Sequence, residues 1–180
     1  FKNPESTEPQ ADVFNYDVRF PLWSDGTLKA RHMYLPAGAV LETDDEGNFF
    51  WPDGACFAKT FRTTAPPSGR SHDRIETRVL YKSKGAWLYG AYVWNEAGTD
   101  AELSGVADRT LNLTLPGVES RYVVPGRMAC LQCHAGNEDR VLGVTSWQLT
   151  KSTTEHLLAQ GHLEAAALPL PSQFITAGDV

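Results

Sequence analysis

Five consecutive residues carry the most specific chemistry in this chain. Cys130-Leu131-Gln132-Cys133-His134 places two thiols three positions apart and an imidazole directly after the second. On one helical turn, positions three apart share a face. Both sulfurs can then add across the two vinyl groups on one porphyrin edge. The imidazole that follows can bind the iron. The pattern is C-x-x-C-H, the attachment sequence of c-type haem. It assigns one covalent haem c to Cys130 and Cys133, with His134 as proximal iron ligand. Three other chemistries use close cysteine pairs. A thioredoxin-like motif follows a strand in a βαβ unit. A zinc site needs about four ligands. A disulfide needs only the thiols. No parallel alternation and no second close ligand pair accompany the motif here, so these three stay behind haem c.

The ligand on the far side of the iron separates electron carriers from binders of small molecules. Small electron-transfer cytochromes commonly use a Met well downstream of the motif. This chain has no Met after Met128, which is too near Cys130 to reach around a porphyrin. Met33, His32, His72, His156 and His162 are the remaining candidates. Each is more often a core or surface group than a ligand. Arg78, Arg121 and Arg127 could meet haem propionates, because guanidinium suits carboxylate bidentately, or could be ordinary surface ion pairs. Cys56, the third cysteine, reads as a small buried hydrophobe.

The elements around these residues read as strands. Ala55 to Phe61 is a strand candidate started by the turn Trp51-Pro52-Asp53-Gly54. Side chains alternate on a strand, so Phe57, Lys59 and Phe61 share one face. A lysine between two aromatics can pair a propionate, cover an apolar wall with its stem, or touch the macrocycle. Ile75 to Lys82 and Ala86 to Trp94 form an expected hairpin around Ser83-Lys84-Gly85. Trp87, Tyr89, Ala91 and Val93 fall on one face, and Leu88, Gly90, Tyr92 and Trp94 on the other. Leu111 to Leu115 alternates as a half-buried strand. Trp23, Trp51, Trp87 and Trp94 are expected in the core. Helix is expected only late: Arg127 to about Gly136, led in by Pro125-Gly126, and a segment capped by Ser152-Thr153-Thr154-Glu155 and ended by Gly161. The expected fold is α+β, mainly antiparallel sheet with a few short helices, one bearing the motif. Residues 1–16 read as an N-terminal arm and 17–180 as a single domain.

Composition narrows the partners. The chain has 180 residues, with 16 Lys plus Arg against 22 Asp plus Glu and a net charge of −6. That balance, without a basic cluster along the sequence, argues against nucleic acid, whose phosphates need clustered cations. No apolar run approaches the roughly 18 residues of a membrane helix. Phe1 is not an initiator Met, consistent with a leader or upstream segment before this chain.

Several strings resemble an uncharacterised family of exported bacterial proteins that often carry cytochrome c modules. They are Pro21-Leu22-Trp23-Ser24-Asp25-Gly26, Trp51-Pro52-Asp53-Gly54, Lys59-Thr60-Phe61, Glu76-Thr77-Arg78, Tyr92-Val93-Trp94-Asn95-Glu96, Thr99-Asp100-Ala101 and the C-x-x-C-H itself. The order Pro52-Asp53-Gly54, Lys59, Trp87, Cys130 to His134, Asp139 also resembles the β-sheet haem proteins, cytochrome P-four-sixty and the cytochromes c-prime-beta. In hydroxylamine-oxidising members a Lys is cross-linked to the haem edge. The resemblance implies that role for Lys59, whereas Cys56 and Thr60 depart from the pattern around it.

The functional expectation is an exported monohaem c-type cytochrome, periplasmic or cell-surface, exchanging electrons with a redox partner. The alternatives are a haem enzyme or gas binder with an open iron site for a small nitrogen or oxygen species, and a haem-bearing accessory domain of a larger secreted protein. Lys59 is the catalytic candidate. Phe57, Arg78 and Lys59 are the haem-side candidates beside the attachment residues.

Overall fold

The computed structural model describes residues 12–113, 115, 121–134 and 141–165. Among them the chain forms β1 (Val13–Asn15), β2 (Leu28–Tyr34), β3 (Glu42–Thr43), β4 (Phe49–Phe50), β5 (Cys56–Arg62), β6 (Arg74–Ser83), β7 (Ala86–Trp94), β8 (Ala101–Leu103), β9 (Arg109–Leu111), β10 (Tyr122–Val124), α1 (Arg127–His134) and α2 (Lys151–Ala159). Six strands make one sheet in the order β1-β2-β5-β6-β7-β8. Every pairing in it is antiparallel. β3 with β4 and β9 with β10 form two small ribbons. The fold is α+β, mainly antiparallel sheet with two short helices.

The β6–β7 hairpin closes through Lys84 and Gly85, at φ 53° and 73°. Two successive left-handed residues suit a two-residue hairpin loop, whose twist matches that of the strands. The register pairs Met33, Phe57, Leu80 and Tyr89 across four strands, and likewise Arg31, Lys59, Arg78 and Ala91. Directly paired residues project to one face. The front face therefore carries two apolar regions with a cationic row between them. The larger core gathers Met33, Phe57, Trp51, Leu149 and Leu157, with Leu80 and Trp87 packed against it. The smaller gathers Ile75, Ala91, Val93, Tyr122 and Val124. A bulge between Phe61 and Arg62 leaves Ile75 without a partner residue on β5. Ile75 and the next residue, Glu76, are both wholly buried.

The back face is more open. Tyr81, Leu88, Tyr92 and Leu103 are exposed there, and Cys56, opposite Tyr34 and Tyr81, is half-buried. Thr60 and Thr77 hydrogen-bond across the strands at 2.8 Å, and the Trp94 indole N–H donates to Thr77 Oγ1.

Some elements depart from the expectations. Trp51 and Trp94 are buried and Trp87 flanks the core, but Trp23 is 76% exposed. It precedes a tight turn at Asp25 and Gly26, both at positive φ, in a loop where Phe20 and Leu22 are exposed as well. Val13–Asn15, inside the segment read as an arm, forms β1. The alternating Leu111-to-Leu115 segment contributes only Leu111 to β9. Its leucines nonetheless join the smaller core, while Thr114 lies outside the described residues. The cap of α2 is Thr150, two residues before the expected Ser152; its side chain accepts from the Thr153 N–H. Asp17 explains the shift. Its N–H donates to Thr153 Oγ1 and its carbonyl accepts from the Thr150 N–H, fixing the helix start from outside. Gly161, at φ 73°, follows the α2 C-cap as expected.

α1 is docked by its first turn. The Arg127 and Met128 N–H groups donate to the carbonyls of Gly105 and Val106, and the Gly126 N–H donates to Asp108. A Cβ on Gly126 would lie 2.4 Å from backbone atoms of Val106 and Ala107. Replacement of Gly126 by alanine must therefore push α1 off its seat. Gly126→Ala is expected to cost about 1–3 kcal/mol, read as a lower urea midpoint. An unchanged midpoint would mean α1 is not held there.

Candidate functional site

Helix α1 carries Cys130, Cys133 and His134 and lies against β7 of the sheet. Cys133 is exposed and Cys130 half-buried. The His134 ring rests on Tyr89, with centroids 5.2 Å apart and planes tilted by 36°. His134 Nδ1 is buried without a hydrogen-bond partner among the described residues. Burial, followed by the positive charges of Lys59 and Arg78, lowers the His134 pKa. The imidazole is thus held neutral, the form that ligates metals. Burial also raises the Cys130 thiol, and Arg78 opposes it.

The structure thus brings together Cys130, Cys133, His134, Lys59 and Arg78 from three distant parts of the sequence. Phe57 shares the front face with Lys59 but is 2% exposed and packed among Tyr16, Trp51 and Trp87. Its place is in the larger core beside the site. Arg121 and Arg127 are exposed. Asp139 lies outside the described residues.

The other candidate iron ligands are engaged elsewhere. Met33 is wholly buried in the larger core. His32 projects to the back face, as the alternation along β2 requires. His72 accepts the Arg74 N–H at Nδ1, so its Nε2 donates to the Asn95 carbonyl. His156 stacks on Phe14 and His162 Nδ1 bonds the Ala39 carbonyl.

The cationic row is the part of the site that sequence reasoning missed. Lys29 and Arg31 from β2 stand on the same face as Lys59 and Arg78. Like charges directly opposite one another are destabilising. Two carboxylates offset part of this charge. Asp17 holds Arg31 at 3.0 Å. Glu76 Oε1 and Oε2 accept from Arg78 Nη2 and Nε at 2.6 and 3.1 Å, and Glu76 also accepts from the Tyr122 hydroxyl at 2.6 Å. Arg78 further stacks over Phe61 at 4.2 Å. Burial works against the Arg78 charge, but Glu76 outweighs it and raises the pKa. The Lys29 ammonium donates to the Leu22 carbonyl, a neutral partner. Lys59 has no hydrogen bond or ion pair among the described residues. The missed signal was the period-two spacing of charge, Lys29-Ala30-Arg31 and Glu76-Thr77-Arg78, on strands that turn out to flank β5.

No protein-family model, curated protein or solved structure matches this chain.

Burial, then Arg31, Arg78 and Lys29, lower the Lys59 pKa to about 8, against a partial opposing effect of Glu76. A lysine depressed in the folded state subtracts stability once the unfolded chain is protonated. The deficit is absent above the ordinary value of 10.5, grows as pH falls, and is complete below about 8. Lys59→Met is expected to stabilise the protein at pH 7 by on the order of 1–2 kcal/mol, after allowance for solvent screening. Denaturant midpoints in low-salt buffer should show that gain shrinking toward zero as pH approaches 10.5. A gain independent of pH would sink the electrostatic account.

Proposed function

We propose that this chain is a bacterial, exported c-type haem domain, with one haem bound through thioethers to Cys130 and Cys133 and iron ligated by His134. The observation that carries the reading is the C-x-x-C-H on a helix whose imidazole is half-buried, held neutral, and has its Nδ1 buried without a partner among the described residues. The surroundings fit the group. Two thiols lie one helical turn apart, with an exposed sulfur at Cys133. Arg78 and Lys59 supply charge that suits propionates, and Tyr89 supplies an aromatic wall. Haem c contributes electron transfer or small-ligand chemistry at its iron; the protein contributes attachment, ligation and the surrounding charge. Attachment of haem c takes place outside the bacterial cytoplasm, hence the proposed export.

Between an electron carrier and an open site, the side chains support the open site. Met33 lies in the core, and His72 and His162 are hydrogen-bonded away from α1. The resemblance implies a haem-side role for Lys59, and its lack of a hydrogen-bond or ion-pair partner among the described residues supports that role.

Two measurements test this reading. Protein matured in a host that attaches haem c should exceed its polypeptide mass by one haem after denaturation. His134→Ala should keep the thioethers while strongly changing the Soret band and spin state. A bare polypeptide mass overturns the assignment, and an unchanged spectrum moves the proximal ligand elsewhere. Cys56 lies on the opposite face of β5 from Lys59, and burial raises its thiol pKa. Cys56→Ser should therefore retain full haem content at a stability cost of about 1–3 kcal/mol or less. Loss of haem would make Cys56 part of the attachment chemistry.

A further inference from the structure

We infer that the cationic row beside His134 binds a small inorganic oxyanion of the nitrite or sulfite kind. Four cationic side chains, Lys29, Arg31, Lys59 and Arg78, share the front face across three neighbouring strands. Asp17 and Glu76 neutralise two of them, Arg31 and Arg78. Glu76 is already engaged by Arg78 and Tyr122 and makes no hydrogen bond to Lys59. Lys29 meets only the Leu22 carbonyl, and Lys59 meets no partner among the described residues. Two positive charges on a half-buried surface therefore lack a direct counter-ion among the described residues, with Glu76 offsetting Lys59 only in part. Paired cations are common in such places; accumulated unpaired ones oppose folding unless something balances them.

The chemistry of the balancing group follows from the donors. Lys59 offers an ammonium between two guanidinium groups already fixed by carboxylates. An ammonium is a compact point charge without directional fork geometry. It suits an anion of a few atoms with several equivalent oxygens. His134 rests on Tyr89, the front-face neighbour along β7 of Ala91, which pairs Arg78. An oxyanion seated on the row therefore lies beside α1, on the His134 side of the site. The inference rests on the haem reading for what the anion meets there, and on the charge pattern for the anion itself. Haem propionates share the same carboxylate-like chemistry and are the competing source of negative charge.

Matured protein is weighed intact and then titrated with nitrite by calorimetry at low ionic strength. The mass reports on haem; the heat reports on the anion, so the two ideas fail separately. Haem-loaded protein, with any open iron position first filled by cyanide, should bind one nitrite saturably. Lys59→Met should weaken binding at least about tenfold, the loss of one charge-assisted contact, and Lys59→Arg should largely retain it. Lys151→Met, altering a lysine exposed on α2 and paired with Glu155, should leave it unchanged. Lys29→Met, which removes the other cation without a counter-ion among the described residues, provides an independent comparison on the neighbouring strand and should weaken binding as well. Absence of binding to haem-loaded protein means that propionates already satisfy the row and overturns the inference. So does equal binding by wild type and Lys59→Met.

Discussion

A carboxylate with no solvent exposure holds the centre of this molecule. Glu76 lies on β6, between the apolar regions of the front face. A buried charge left unpaired costs several kcal/mol, so Glu76 dictates its surroundings. It takes two hydrogen bonds from Arg78 and one from Tyr122. The Tyr122 bond ties the small β9–β10 ribbon to the main sheet. The Arg78 bonds fix a guanidinium over Phe61 and within electrostatic reach of Cys130. Tyr122 is in turn held protonated, since burial and the Glu76 charge both raise its pKa. One acidic side chain thus links the sheet, the ribbon and the helix carrying the cysteines.

That arrangement divides the front face. Apolar packing dominates both ends, and the middle is given to charge. A continuous apolar face would bury more area and stabilise more. The row instead keeps a polar, half-buried strip on the front face beside α1. Such a strip is poor core and good binding surface. It fits a ligand with an apolar body and acidic edges, such as the proposed haem, and equally a small anion beside it.

Local pattern made much of the fold legible. The β6–β7 hairpin, the faces of β7, the shared face of Phe57, Lys59 and Phe61, and a helix over the cysteines all follow from alternation, turn residues and helical spacing. What stayed hidden depends on pairing between distant strands. Nothing near Lys59 in the sequence announces Arg31 or Arg78, which become its neighbours only through the β2-β5-β6 register. The α2 cap was misplaced for the same reason: Asp17, far away in the chain, decides where the helix begins. Trp23 was misjudged because its size suggests burial, whereas it lies in a loop where Phe20 and Leu22 are exposed as well. At the site, the motif residues could be read directly. Lys59 and Arg78 could also be named, but their assembly with Lys29 and Arg31 into one row could not, because it is built from three strands.

The order of the segments along the chain gives the architecture a direction in time. All six strands of the main sheet precede Cys130, so a chain emerging from its N-terminus completes the cationic row and the Tyr89 platform before the thiols appear. The larger core, however, needs Val141, Val144, Leu149, Leu157 and Leu163, all of which come afterwards. The cysteine-bearing helix therefore arrives at a platform already assembled, while the neighbouring half of the protein still lacks its cover. That interval leaves α1 accessible before the final segment completes the larger core.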